Sequence, residues 1–185
     1  MRFRAILFFL ATGLPAQDAG VVDLLNTVRA ASYPGLPARS FRVKPLQSDF
    51  DYLQTRFTLA SFFFRRRLTY LVMLNPRLTG RGVPPEALRA ILAHELAHAQ
   101  YYQSRPRWRL AGLARLLSTG YRIRFERGAD LTAIELGYGP GLKQYREWLY
   151  LNIPPERVWE KKRDYFTPQE IEAIGAARAR NGLSR

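Results

Sequence analysis

The stretch PPEALRAILAHELAHAQYY, residues 84–102, decides the fold of this chain. Pro84 and Pro85 suit a first helical turn, where backbone N–H groups have no partner within the helix, and Glu86 suits its positive end. Residues 87–99 are strong helix formers without a glycine, a proline or a β-branched run. Because most of them are apolar, we predict one long helix that is largely buried.

Two histidines lie on this predicted helix, at His94 and His98, and Glu95 follows the first of them. Side chains four residues apart share one helical face, so both imidazoles can bind one metal ion while Glu95 reaches a water on it. The alternative is two ordinary core or surface histidines. They are the only histidines in the chain, and buried polar groups need partners. Both observations favour a metal site.

A carboxylate is required to complete the ligand set. A catalytic zinc takes three protein ligands and leaves a fourth position for water, and the chain has no cysteine and no third histidine. Glu126 is the predicted ligand because Asp130, one turn later in a helix at 121–136, can then accept a hydrogen bond from His94. Two alternatives remain open: a solvated acidic face paired with neighbouring arginines, or Glu135 as the ligand.

These residues carry a family resemblance. HELAH at 94–98, followed by FERGAD at 125–130, resembles the gluzincin branch of the zincin metallopeptidases, and the Glu-x-x-Ala-Asp form is similar to that of the CAAX prenyl-protein endopeptidases and their relatives. The specific resemblance covers residues 84–137. The chain differs from those enzymes in lacking their membrane-spanning helices and any further histidine for the oxyanion.

The resemblance implies an α+β fold of minimal zincin type, with a short antiparallel sheet packed on the active-site helix and several helices after it. It also implies a zinc-dependent endopeptidase, with Zn²⁺ bound by His94, His98 and Glu126, and with a peptide or protein as substrate. Glu95 would be the general base, and Asp130 would orient a zinc ligand. By position alone, four residues are candidates for stabilising the oxyanion: Tyr121, Tyr138, Tyr145 and Arg146.

Alternating stretches before the metal-site helix predict strands. A short strand is expected at 41–46, and two longer ones at 52–64 and 67–75, joined by an arginine-rich turn. A peptide substrate is expected to add to the sheet edge at 68–74. In the run FFFRRR at 62–67, the preferred interpretation is a buried strand end followed by a solvated turn; contact with an anionic membrane is the alternative.

The N-terminus has the pattern of a secretory signal peptide at residues 1–16. Arg2 and Arg4 precede an apolar run at 5–14. That run is too short to span a bilayer, which needs about twenty residues, and a retained N-terminal anchor is the alternative. We therefore predict one metallopeptidase domain at 17–185, secreted or periplasmic.

The formal net charge of +14 predicts attraction to anionic surfaces such as membranes, cell-wall polymers or acidic proteins. A basic surface without a specific partner is the alternative. Because the arginines form no nucleic-acid motif, no specific nucleic acid is expected. The rival function is a non-catalytic, zinc-stabilised basic domain that binds anionic envelope surfaces or an acidic protein. Glu95 argues against it, since a structural zinc site needs no general base.

Overall fold

The computed structural model describes residues 16–64, 67–110, 118–180 and 182. It confirms the α+β class, with a mostly helical chain and a small mixed sheet. The helices are α1 (Ala16–Ser32), α2 (Leu59–Phe64), α3 (Arg77–Gly80), α4 (Pro85–Gln103), α5 (Arg107–Leu110), α6 (Thr119–Ala133), α7 (Gly139–Asn152), α8 (Pro155–Asp164) and α9 (Pro168–Arg180). The strands are β1 (Phe41–Pro45), β2 (Leu53–Phe57) and β3 (Tyr70–Leu74).

The predicted signal peptide at 1–16 lies outside the described residues except for its last residue, Ala16, which begins α1. Within the described ranges, no helix combines the length and the apolar character that a membrane crossing requires.

Helix α4 is the centre of the molecule, as its sequence predicts. It begins at Pro85, whose missing N–H costs nothing in a first turn, and ends at Gln103. Helices α1, α6 and α7 and strand β2 all pack against it. Every residue from 90 to 99 is buried, which includes His94, Glu95 and His98. Buried polar side chains are costly without partners, so this segment of the core requires polar partners from the neighbouring elements.

Helices α4 and α7 approach each other closely at Gly141. A Cβ atom at this position would lie 2.4 Å from the carbonyl oxygen of Glu86 and 3.0 Å from the Cβ of Ala90. Only a residue without a side chain fits there, so Gly141 sets the distance between the helix that carries the histidines and the helix that carries Arg146.

We expect Gly141→Ala to lower the free energy of unfolding by about 1–3 kcal/mol, because the added methyl group collides with the backbone of α4. Gly128→Ala in α6 is the matched control. Nothing lies within 4 Å of its added Cβ, and alanine is the better helix former by about 1 kcal/mol. Urea denaturation of both variants measures the difference. Equal stability of the two variants would contradict the close approach.

The sheet has the strand order β1-β3-β2, and β3 pairs parallel with β1 and antiparallel with β2. The prediction of an antiparallel sheet is therefore wrong for one of its two pairings. The chain between β1 and β2 passes across the end of β3, where the Asn75 side chain donates to the carbonyl oxygens of Ser48 and Asp51. These bonds hold β1 and β2 on opposite sides of β3. The pairing of β1 with β3 joins segments that are distant in the sequence, so the pattern of each strand alone does not predict it.

The predicted strand at 52–64 is also wrong in its second half. Strand β2 ends at Phe57, and helix α2 begins two residues later. Thr58 caps this helix, because its Oγ1 accepts a hydrogen bond from the Ser61 backbone N–H. The helical turn leaves Phe63 and Phe64 exposed, so the interpretation of FFFRRR as a buried strand end is wrong as well.

The elements after α6 fold back toward the metal-site helix. A wide π-helical turn at Ile134–Tyr138 includes Gly137 at φ 91° and leads directly into α7. Helix α9 begins with a capping box, in which Glu170 N–H donates to Thr167 Oγ1 and Thr167 N–H donates to Glu170 Oε2. The loop between α8 and α9 is held beside α6, because the Phe166 backbone N–H donates to Asp130 Oδ2.

Candidate metal centre

The side chains of His94, His98 and Glu126 meet between α4 and α6. The two histidine Nε2 atoms are 3.1 Å apart, and Glu126 Oε2 lies 3.1 Å from that of His98 and 3.3 Å from that of His94. Both histidines are buried, and Glu126 is partly buried. These three side chains lie close enough to bind one metal ion.

The spacing of the three donor atoms agrees with a tetrahedral zinc site. Two ligands about 2.0–2.1 Å from zinc at a tetrahedral angle lie about 3.3–3.4 Å apart. The observed separations of 3.1–3.3 Å are close to this value. Three protein donors would leave the fourth position of a tetrahedral metal ion for another ligand. Two imidazoles and a carboxylate are one of the donor sets that catalytic zinc sites use.

Asp130 fixes the orientation of His94. Its Oδ1 lies 2.8 Å from His94 Nδ1 and 2.7 Å from Arg146 Nη2, and its Oδ2 accepts the Phe166 backbone N–H at 3.0 Å. Burial raises the pKa of Asp130, but the charge of Arg146 and the bond to His94 outweigh it and lower the pKa overall. The carboxylate is therefore ionised and accepts a hydrogen bond from His94 Nδ1, so in the neutral ring that a metal requires the lone pair would lie on Nε2.

Electrostatics concentrate negative charge around the histidines. Burial lowers the pKa of His94, but its hydrogen bonds to Asp130 and Glu126 raise it more strongly, to about 9. Burial raises the pKa of Glu126, and the neighbouring His98 and His94 lower it well below the usual range for glutamate. The protein without a metal thus favours positive charge at this point. A divalent cation satisfies that preference and replaces a proton.

Glu95 is buried next to this cluster, with 5% of its surface exposed. Its Oε2 has no hydrogen-bond partner in the described part of the chain. A buried carboxylate oxygen without a protein partner is costly, and a water held at the open corner of the metal site would satisfy it. Glu95 is therefore a carboxylate that lines the cleft beside the three donors and has an oxygen available to a ligand there.

The cluster opens into a cleft of about 660 Å³. Strand β2 forms one wall, and Tyr145, Arg146 and Tyr165 line the other side together with Glu95. Two of the four sequence candidates for the oxyanion therefore border this space. Tyr121 contacts the Tyr101 hydroxyl and Tyr138 contacts the Ser32 hydroxyl, and neither lines the cleft.

Tyr165 and the role of Arg146 as a partner of Asp130 are absent from the sequence prediction. Arg146 lies on the buried face of α7 beside Leu142 and Leu149, and only 1% of its surface is exposed. An arginine on an apolar helical face predicts a buried carboxylate partner. That signal was available in the sequence. Tyr165 follows α8 in a loop, and nothing in its local pattern distinguishes it.

The predicted peptide edge at 68–74 is wrong because β3 is the central strand and is paired on both sides. The edge that borders the cleft is β2. Thr58 N donates to Thr69 O and Asn75 N donates to Tyr52 O, and hydrogen-bonded pairs alternate along an antiparallel ladder. The backbone groups of Leu53, Thr55 and Phe57 therefore face away from β3, along the free edge.

No protein-family model, curated protein or solved structure matches this chain. The assignment of a function therefore depends on the geometry of the site.

Removal of Glu126 is expected to weaken zinc binding by more than about 100-fold. That factor is the largest loss of metal affinity usually caused by removing a residue that only hydrogen-bonds to a metal ligand. Glu126→Ala is compared with Glu135→Ala, because Glu135 is the alternative ligand in the sequence. Glu135 pairs with Arg178 and is half exposed, so its variant should bind zinc as the wild type does. Competition with a chromophoric chelator gives both affinities. A larger loss in Glu135→Ala would contradict the assignment of Glu126.

Proposed function

We propose that this protein is a zinc-dependent endopeptidase of minimal gluzincin type. The observation that supports the proposal most strongly is the combination of an open three-donor site with a buried, unpartnered Glu95 facing the same cleft. A structural zinc site needs neither an open position nor a general base. The resemblance of HELAH and FERGAD to the gluzincin motifs supports the same function.

His94, His98 and Glu126 would hold the zinc, and Asp130 would keep His94 in the tautomer that presents Nε2. When bound, zinc lowers the pKa of a water ligand to about 7 and polarises a carbonyl. Glu95 accepts the proton of the attacking water and then delivers it to the leaving amine. Its Oε2, which has no hydrogen-bond partner among the described residues, is the atom that would take this proton.

The developing oxyanion would be stabilised from the side of the cleft opposite β2. Burial raises the pKa of both Tyr145 and Tyr165 well above the ordinary value for tyrosine, so both hydroxyls stay protonated and can donate. The Tyr165 ring lies 5.9 Å from that of His94, with the Arg146 guanidinium 4.4 Å from its centre. Tyr165 is thus held beside the metal ligands, and it is our preferred donor.

A peptide substrate would lie along the free edge of β2 as an added strand. Thr55→Pro removes one outward N–H and leaves the β2–β3 ladder intact, since a proline is tolerated where the N–H faces away from the sheet. We expect KM to rise by about two- to tenfold, because this factor corresponds to the net free energy of one hydrogen bond. Thr55→Val keeps the N–H and is the control. An equal KM in both variants would contradict strand addition at β2.

The proposed function is tested by incubating the zinc-loaded protein with a mixed peptide library and sequencing the new N-termini by mass spectrometry. Internal cleavages that stop after zinc removal and return when zinc is restored would support the endopeptidase. The zinc content is measured in parallel. A protein that holds zinc and cleaves nothing would favour the rival function, a zinc-stabilised binding domain.

A further inference from the structure

Large aromatic side chains are exposed on two short helices that touch each other. Phe63 and Phe64 on α2 are 67% and 86% exposed, and Trp108 on α5 is 71% exposed. The helices meet where the Arg107 guanidinium donates to the backbone oxygen of Phe62. We call Phe63, Phe64 and Trp108 the aromatic surface. Adjacent exposed rings of this size indicate an interaction site rather than scattered surface residues.

Positive charge is concentrated in the parts of the sequence that contain the two helices of the aromatic surface. The segments 52–85 and 96–125, which contain α2 and α5, carry twelve arginines and no acidic residue. The rest of the chain is nearly balanced, with 17 basic and 15 acidic residues. The Arg109 guanidinium lies 4.9 Å from the centre of the Trp108 ring. The net charge of +14 is therefore not spread evenly along the chain, and most of it lies in the two segments that contain α2 and α5.

The aromatic surface adjoins the rim of the cleft. Leu59, on the first turn of α2, lines the cleft and is 70% exposed. Phe57 also lines the cleft, and its ring stacks on that of Phe62 at 5.6 Å. The remainder of α2 leads from this rim to Phe63 and Phe64. A membrane or protein that binds to the aromatic surface would thus lie next to the mouth of the candidate active site.

We propose that the aromatic surface docks on an anionic lipid bilayer. The rings would enter the interface between headgroups and acyl chains, and the arginines would contact lipid phosphates. Arginine suits this position because its apolar stem lies along the rings while its head stays at the phosphates. A protein partner would need a pocket matched in shape to these rings, whereas a bilayer accepts them without shape complementarity. The proposal does not depend on peptidase activity.

Vesicle co-sedimentation of the full chain tests the proposal. Binding is measured to phosphatidylcholine vesicles and to vesicles that also contain about 30% phosphatidylglycerol. We expect the wild type to prefer the anionic vesicles. Combined Phe63→Ser, Phe64→Ser and Trp108→Ser should weaken that binding by about tenfold or more. All variants share the same N-terminal segment, so differences among them report on the aromatic surface.

Trp159→Ser is the matched control, because Trp159 is also exposed, at 57%, but lies on α8. Helix α8 borders the other end of the cleft, where Lys161 pairs with Asp51 ahead of β2. This variant should bind within about twofold of the wild type. In contrast, Arg67→Glu combined with Arg109→Glu should weaken binding to the anionic vesicles alone.

Three results would overturn the proposal. The triple serine variant could bind anionic vesicles as well as the wild type, or Trp159→Ser could weaken binding equally. The third is self-association of the wild type without vesicles that the triple variant abolishes, which would make the aromatic surface an interface between copies of this chain. Because the readout is binding rather than hydrolysis, its failure is distinguishable from failure of the proposed peptidase.

Discussion

Glu95→Gln is expected to lower kcat/KM for peptide hydrolysis by about 10²- to 10⁴-fold, the usual contribution of a general base. The amide has the size of the carboxylate but cannot accept the proton of the attacking water. Glu95 is not among the three donors that meet at the site, so the zinc content should stay at that of the wild type. The rate is measured on a peptide that the wild type cleaves.

Glu86→Gln is the matched control for this variant. Glu86 lies on the same helix and is exposed, and it forms a distant ion pair with Arg89 at 3.6 Å. It should retain wild-type activity and zinc content. A Glu95→Gln protein that holds zinc and cleaves at the wild-type rate would contradict the role of Glu95 as the base.

Asp130→Asn is expected to lower the free energy of unfolding by about 3–5 kcal/mol, because it leaves the Arg146 guanidinium buried without a counter-charge. Both side chains are almost completely buried, at 0% and 1% exposure, and their ion pair is 2.7 Å long. Zinc affinity should also fall by about 10- to 100-fold, since the asparagine no longer favours the required tautomer of His94. Denaturant unfolding of the zinc-free protein and chelator competition measure the two effects separately.

Asp49→Asn provides the comparison for Asp130→Asn. Asp49 pairs with Arg77 at the same distance of 2.7 Å, but the two side chains are 78% and 53% exposed. Solvent screens this pair, so its loss should change stability little. Equal stability of the two asparagine variants would contradict a buried, charge-dependent role for Asp130.

The parts of the structure that follow from local sequence were predictable. The burial and length of α4 follow from an unbroken run of helix formers, and the convergence of His94 and His98 follows from their spacing of four. The hydrogen bond between His94 and Asp130 required one further step, the need of a zinc-bound imidazole for a partner. Each of these features is determined by one helix or by one chemical requirement, so it can be predicted from the sequence.

The parts that depend on distant segments were not predictable. The pairing of β1 with β3 depends on Asn75 binding the loop that precedes β2, and no strand pattern contains this information. Phe62, Phe63 and Phe64 look alike in sequence, yet the cap at Thr58 starts a helix that leaves only Phe62 packed on the core. The contact of Phe166 N–H with Asp130 likewise depends on how the α8–α9 loop folds back.

Anomalous diffraction at the zinc absorption edge, from crystals of the zinc-loaded protein, tests the central claim most directly. The predicted result is one peak within about 2.0–2.2 Å of His94 Nε2, His98 Nε2 and a Glu126 carboxylate oxygen, with no protein atom at the fourth position. A zinc bound elsewhere would contradict the assembled site. A zinc closed by a fourth protein ligand would contradict the catalytic interpretation and indicate a structural metal.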